Sequence, residues 1–191
     1  SLPMNTATFS HIQVMNPYVE AQYLKLEESR NRLLDELEGL DEELLNMPPA
    51  EGKWSVNQII AHLIQVEQLT NGYIQRRVQK QEPLETSSIR HTLRSLLLKL
   101  ALNTGMKFKA PDAVAHVPEK STLPSLRNQW DACRYQLEDT LTELPQNLMD
   151  KCLFKHPYAG PLSITQTLSF LQDHFQHHAR QIAYLRQYLL K

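Results

Sequence analysis

Apolar residues recur at three- and four-residue steps along four long stretches of the chain, and no stretch of comparable length alternates as a strand would. Tyr23, Leu26, Leu33, Leu37, Leu40 and Leu44 mark the first, with Arg30 interrupting the seam. The second runs from Trp54 to about Gln79, marked by Ile59, Leu63, Val66, Leu69 and Tyr73. Leu126, Trp130, Cys133, Leu137, Leu141 and Leu144 mark the third; Ile164, Leu168, Leu171, Phe175, Ile182, Leu185 and Leu189 mark the fourth. Each stripe buries one face of a helix against its neighbours, so the pattern predicts an all-α four-helix bundle.

Local chemistry sets the boundaries. Pro48 and Pro49 end the first predicted helix, because proline lacks an amide donor and disfavours helix in the residue before it. Ser55-Val56-Asn57-Gln58 and Ser163-Ile164-Thr165-Gln166 read as capping boxes opening the second and fourth helices. Pro145 closes the third, and Pro157 to Pro161 forms a turn before the fourth.

Roughly eight residues join the first two helices, which predicts antiparallel neighbours, and about sixteen join the last two, which predicts a direct return. Some forty residues, 81–122, separate the second helix from the third and suffice to recross the bundle, leaving those two parallel: an up-down-down-up order. Within this crossover, Ile89 to Asn103 reads as a shorter helix loosely capped by Ser88, and Lys109 to Pro118 as extended chain. No linker divides the chain, so residues 1–191 are expected to form one domain, with 1–17 an extended N-terminal segment.

Composition narrows the function classes. Twenty Lys and Arg against 21 Asp and Glu give a net charge of −1, which argues against a nucleic-acid partner. No apolar run reaches the roughly 18 residues needed to span a bilayer, and the N-terminus has no cationic start followed by an apolar stretch, so neither a membrane nor a secretory signal is expected. Two cysteines, Cys133 and Cys152, fit a reducing, cytoplasmic setting better than a disulfide framework.

Eight histidines raise a chemical question. His174 and His178 stand four apart on the fourth helix, about 40° apart in projection and one turn above the other. This spacing lets one helix offer two imidazoles to a single cation, although no Glu follows His174 as in the zinc-protease signature. Taking His174 as the zero, the apolar seam centres near about 80° and His177 falls near about −60°, so His178 faces inward, His174 sits at the edge and His177 faces solvent. His62 lies within the inward stripe of the second helix, where a polar group needs a hydrogen-bond partner or a metal. Three such nitrogens would leave coordination positions open for water or substrate. Satisfied core histidines remain the alternative.

The stretch Trp54-Ser55-Val56-Asn57-Gln58-Ile59-Ile60-Ala61-His62-Leu63 resembles the second-helix motif of the DinB/YfiT-like superfamily. His156-Pro157-Tyr158-Ala159-Gly160-Pro161-Leu162-Ser163, followed by His174 to Ile182, is similar to its C-terminal signature, and Lys109-Ala110-Pro111 with Val117-Pro118 to its crossover. The resemblance implies a bundle with a long second-to-third crossover, a divalent metal, nickel or zinc, held by His62, His174 and His178, and a homodimer. It also implies an enzyme acting on a small-molecule substrate: a thiol-dependent S-transferase using a low-molecular-weight thiol, with a hydrolase or a non-catalytic metal-binding bundle as alternatives.

Other residues carry plainer expectations. Glu67, about 140° from His62, reads as a solvated charge, and Arg30 as a side chain snorkelling to solvent. Cys133 reads as a buried small hydrophobe, and Cys152 as a loop residue beside Lys151 rather than a reactive thiol. Trp54 reads as a hydrophobic staple and Tyr73 as core. His11, His91 and His116 read as surface residues; His156 belongs to the turn without an assigned role. Leu24, Leu34 and Leu45 are available to a dimer contact or to the N-terminal segment.

Overall fold

The structure is a computed structural model and describes residues 13–80, 82–106 and 109–190. Four long helices appear where the periodicity places them: α1 (Pro17–Leu37), α3 (Val56–Gln79), α6 (Leu123–Glu143) and α7 (Ile164–Leu189). Between them lie α2 (Glu42–Leu45), α4 (Ile89–Asn103), α5 (Asp112–Ala115) and an antiparallel hairpin of β1 (Cys152–His156) and β2 (Gly160–Ser163). His11 lies outside the described residues.

Helix starts follow their caps. Asn16 accepts from the amides of Tyr18 and Val19, with Pro17 supplying a preset φ in the first turn. Ser55 with Gln58, and Ser163 with Gln166, form the two expected capping boxes.

Side-chain contacts fix the direction of each helix. Gln22 reaches Thr165, Gln172 reaches Ser29 and Arg186 reaches Glu36, so α1 and α7 run parallel. Glu67 bonds Arg134 and Gln75 bonds Thr140, so α3 and α6 run parallel. Arg30 bonds Asp131 and Tyr23 bonds Glu138, so α1 and α6 are antiparallel. The order is up-down-down-up. The first two long helices are not neighbours, however, nor are the last two: α1 packs on α6 and α7, and α3 packs on the same two, so α1 faces α3 and α6 faces α7 across the bundle.

Several expectations are corrected. The first helix ends at Leu37 rather than at Pro48, because Gly39 takes φ 81, and Leu44 belongs to the separate α2. The extended stretch before Pro118 contains α5, and the turn from Pro157 to Pro161 is the tip of the hairpin with part of β2. Leu34 and Leu45 are buried in the core and unavailable for a dimer contact, whereas Leu24 is exposed. Among the described residues, no helix is long and apolar enough to cross a membrane.

The core falls into two apolar clusters. One gathers Leu33, Leu37, Ile59, Ile60, Leu63, Trp130, Phe175 and Ile182; the other gathers Val19, Leu26, Ile74, Leu137, Leu141, Leu153, Ile164 and Leu171. Between them runs a largely buried polar network contributed by α1, α3 and α6. Arg134 donates to Glu67 at 2.7 and 2.8 Å and to Glu27 at 2.9 Å; Arg30 holds Glu27 at 3.0 Å and Asp131 at 2.7 Å; Trp130 Nε1 donates to Glu67 at 3.1 Å. Glu67 and Arg30, each 5% exposed, are therefore neither solvated nor snorkelling. Each ion is matched by another, which makes its burial tolerable.

Candidate metal centre

Five residues before Glu67, α3 carries His62, the first of three histidines that come together. The α3 capping box sets the helix start so that His62, seven residues on, points inward at 3% exposure. The α7 box anchors that helix to the hairpin and brings His174 and His178 to the facing surface. One nitrogen from each of the three rings lies within 4.8 Å of the others.

The contacts of the remaining nitrogens fit metal ligation. His62 Nδ1 lies 2.8 Å from the carbonyl oxygen of Val114, which can only accept, so this nitrogen carries the proton and Nε2 presents its lone pair inward. Gln181 Oε1 accepts from His178 Nδ1 at 2.9 Å, with the same consequence for that ring. His62 Nε2 and His174 Nε2 are 3.3 Å apart. Two nitrogens bound at roughly 2.0–2.1 Å to one ion, about 90–110° apart, would lie about 3.0–3.4 Å from each other.

Electrostatics keep these rings neutral. Burial lowers His62 below the ordinary histidine value, partly opposed by its bond to Val114. Burial, then the neighbouring His178 and His62, hold His174 well below it. Burial and His62 lower His178 to about 3. Neutral imidazole is the form that ligates.

The cluster lies at the wall of a cleft of about 1010 Å³. Trp54 lines it with its ring 4.9 Å from that of His62, and Tyr73 lines it edge-on to Phe154 at 5.6 Å. His177, expected in solvent, is half-buried, faces the cleft and bonds the Leu102 carbonyl oxygen at 3.2 Å.

Sequence reasoning gave His156 no role, yet it is buried at the cleft wall. Its Nδ1 accepts from the amides of Tyr158 and Ala159, both at 3.1 Å, so the other nitrogen carries the proton; burial lowers the ring to about 4. The spacing His156-x-Tyr158 at a turn bounded by two prolines was the available signal.

His91 is buried rather than at the surface. The amide of Ser88 donates to its Nδ1 at 3.0 Å, and Glu85 lies 3.1 Å from its Nε2. His116 is exposed as expected. Cys152 is buried on β1, not in a loop, and burial pushes its thiol up, away from reactivity. Cys133 is buried as expected, its thiol pushed up to about 12 by burial and by Glu67.

A bundle of this topology with three inward imidazoles at an open cleft defines an all-α protein bearing a candidate three-histidine centre. The chain belongs to the DinB superfamily, whose sequence pattern matches residues 25–182. It is similar to the uncharacterized protein YuaE of Bacillus subtilis (strain 168), 24% identical over 160 residues that cover 84% of this chain and 94% of that protein. Among solved structures, the four-helix bundle protein TT2238 superposes with a TM-score of 0.56 at 21% identity, over 87% of this chain and 98% of that one. That likeness concerns the fold.

Proposed function

We propose that this protein is a metal-dependent enzyme in which His62, His174 and His178 hold one divalent cation, nickel or zinc, and that it is a thiol-dependent S-transferase acting on small electrophiles. The observation that carries this reading is the placement of three neutral imidazoles, two with their outer nitrogens fixed, at the wall of an open cleft. A closed structural site would be covered by protein.

A divalent cation among neutral ligands keeps its charge and lowers the proton affinity of a thiol or water beside it. The chain's own residues do the rest. Val114 and Gln181 fix ring tautomers, Trp54 packs against His62, and Val66, Phe154 and Phe170 provide an apolar wall that restricts water. In the transfer, the sulfur lone pair forms the new bond to carbon, the leaving group departs with its bonding pair, and the thiol proton passes to solvent.

One feature favours thiol transfer over hydrolysis. Among the described residues no Asp or Glu lines the cleft. Zinc hydrolases with a His-x-x-x-His pair set a Glu beside the bound water as general base, whereas a thiol, with a pKa of about 8.5, ionises beside the cation without one.

The test is turnover of metal-loaded protein with several low-molecular-weight thiols and an electrophilic dye. Conjugation that requires both thiol and metal, and collapses in His178→Ala, is the expected result; turnover without thiol, or equal rates in the variant, contradicts it. The reading includes a homodimer in a reducing, cytoplasmic setting. With Leu34 and Leu45 buried, the exposed apolar face of α4 (Ile89, Leu93, Leu96 and Leu100) is the surface that suits it.

A further inference from the structure

Charged residues in this chain are almost equally divided, 20 cationic against 21 acidic, so a cleft lined without regard to charge would show both signs. The cleft beside the three histidines shows one. Lys53, Arg76, Lys109, Lys155 and Arg180 line it, from five separate segments: the loop before α3, α3 itself, the crossover, β1 and α7. Among the described residues, none of these five has a carboxylate within ion-pairing distance, whereas Arg30, Arg134 and Arg186 elsewhere each hold one. Arg180 is oriented without being neutralised: one of its terminal nitrogens donates to the Leu102 carbonyl oxygen at 3.0 Å, leaving its charge and other donors available.

The same cleft also has an apolar lining, with Val66, Tyr73, Leu98, Phe154 and Phe170. Same-sign charge around a low-dielectric cleft focuses the field and concentrates counter-ions. The volume, about 1010 Å³, stands at the upper end of small-molecule sites.

We propose that the cleft selects an organic anion: a small molecule with an apolar or aromatic body and one or more carboxylate, phosphate or sulfonate groups, the body on the apolar wall and the anionic group among Lys53, Arg76, Lys109, Lys155 and Arg180. This rests on the reading of the cleft as the substrate site, and it assigns that chemistry to at least one of the two reactants of the transfer.

The experiment compares binding of naphthalene-2-carboxylate with that of its neutral amide by titration calorimetry. It uses chelator-treated protein and zinc-loaded protein, each as wild type and as Lys155→Glu and Arg180→Glu. Both substituted residues are exposed, and circular dichroism checks that the variants fold. The expected result is a preference of about tenfold or more for the carboxylate in both metal states, shrinking with added salt and lost on charge reversal. Equal binding of acid and amide, or a preference that survives both reversals, overturns the proposal. A preference seen only with zinc also overturns it, since the cation alone then explains the selectivity while the metal reading stands. A preference retained by a chain that takes up no metal sinks the metal reading and leaves the anion cleft in place.

Discussion

Each histidine buried at the cleft carries a desolvation cost only when charged, which gives the protein a defined acid sensitivity. An exposed imidazole titrates near about 6.5, whereas His156 stands at about 4 and His178 at about 3. Between those values the unfolded chain binds protons that the folded one refuses, so stability is full above about pH 6.5 and falls as pH drops toward 4. Urea midpoints of metal-free protein at pH 7 and pH 5 should fall accordingly; a midpoint unchanged or higher at pH 5 would speak against these buried neutral rings.

Glu67 supports a second residue-level prediction. Glu67→Ala strips Arg134 and Trp130 of a buried acceptor and should cost about 3–5 kcal/mol, toward the lower end because Glu27 still holds Arg134. A loss in chemical denaturation below about 1 kcal/mol would show that the ion network contributes little. His62, His174 and His178 were legible because a four-residue step and an apolar stripe are local facts. Glu67 was not, since its partner lies 67 residues away on α6 and a helix inside a bundle buries more than one face. Arg30, read as snorkelling, and Arg134, each sitting within a leucine seam, were the signs that a buried acid must exist.

At the scale of elements, the capping boxes were readable and carry energy. Ser163→Ala removes the acceptor for the Gln166 amide at the start of α7 and should cost about 1 kcal/mol, lowering Tm by roughly 2–4 °C. An unchanged Tm would mean that the hairpin alone fixes the start of α7. The hairpin itself escaped the pattern. Its strands are five and four residues long, two prolines flank the tip, and period-two alternation over so few positions is lost beside helical stripes several times longer. The break after Leu37 escaped for a different reason: Leu40 and Leu44 continue the apolar spacing, while the backbone leaves the helix at the extended Glu38 and turns at Gly39 with its positive φ.

At the scale of the whole molecule, the long crossover made the parallel pairing of α3 and α6 legible, while the diagonal placement of α1 against α3 and of α6 against α7 depends on packing that connection lengths do not encode. The exposed apolar face of α4 carries a prediction at this scale: the wild type should sediment as a dimer, and Leu96→Glu combined with Leu100→Glu as a monomer. A wild-type monomer, or a variant still dimeric, excludes that face.

The proposed cation is shared by rings from α3 and α7. Elemental analysis of protein made without a histidine tag tests it most directly, comparing the wild type with His62→Ala, His174→Ala and His178→Ala, each checked for folding. About one nickel or zinc per chain in the wild type, and a drop of tenfold or more in each variant, is the predicted result; metal content equal to wild type in the folded variants would contradict it.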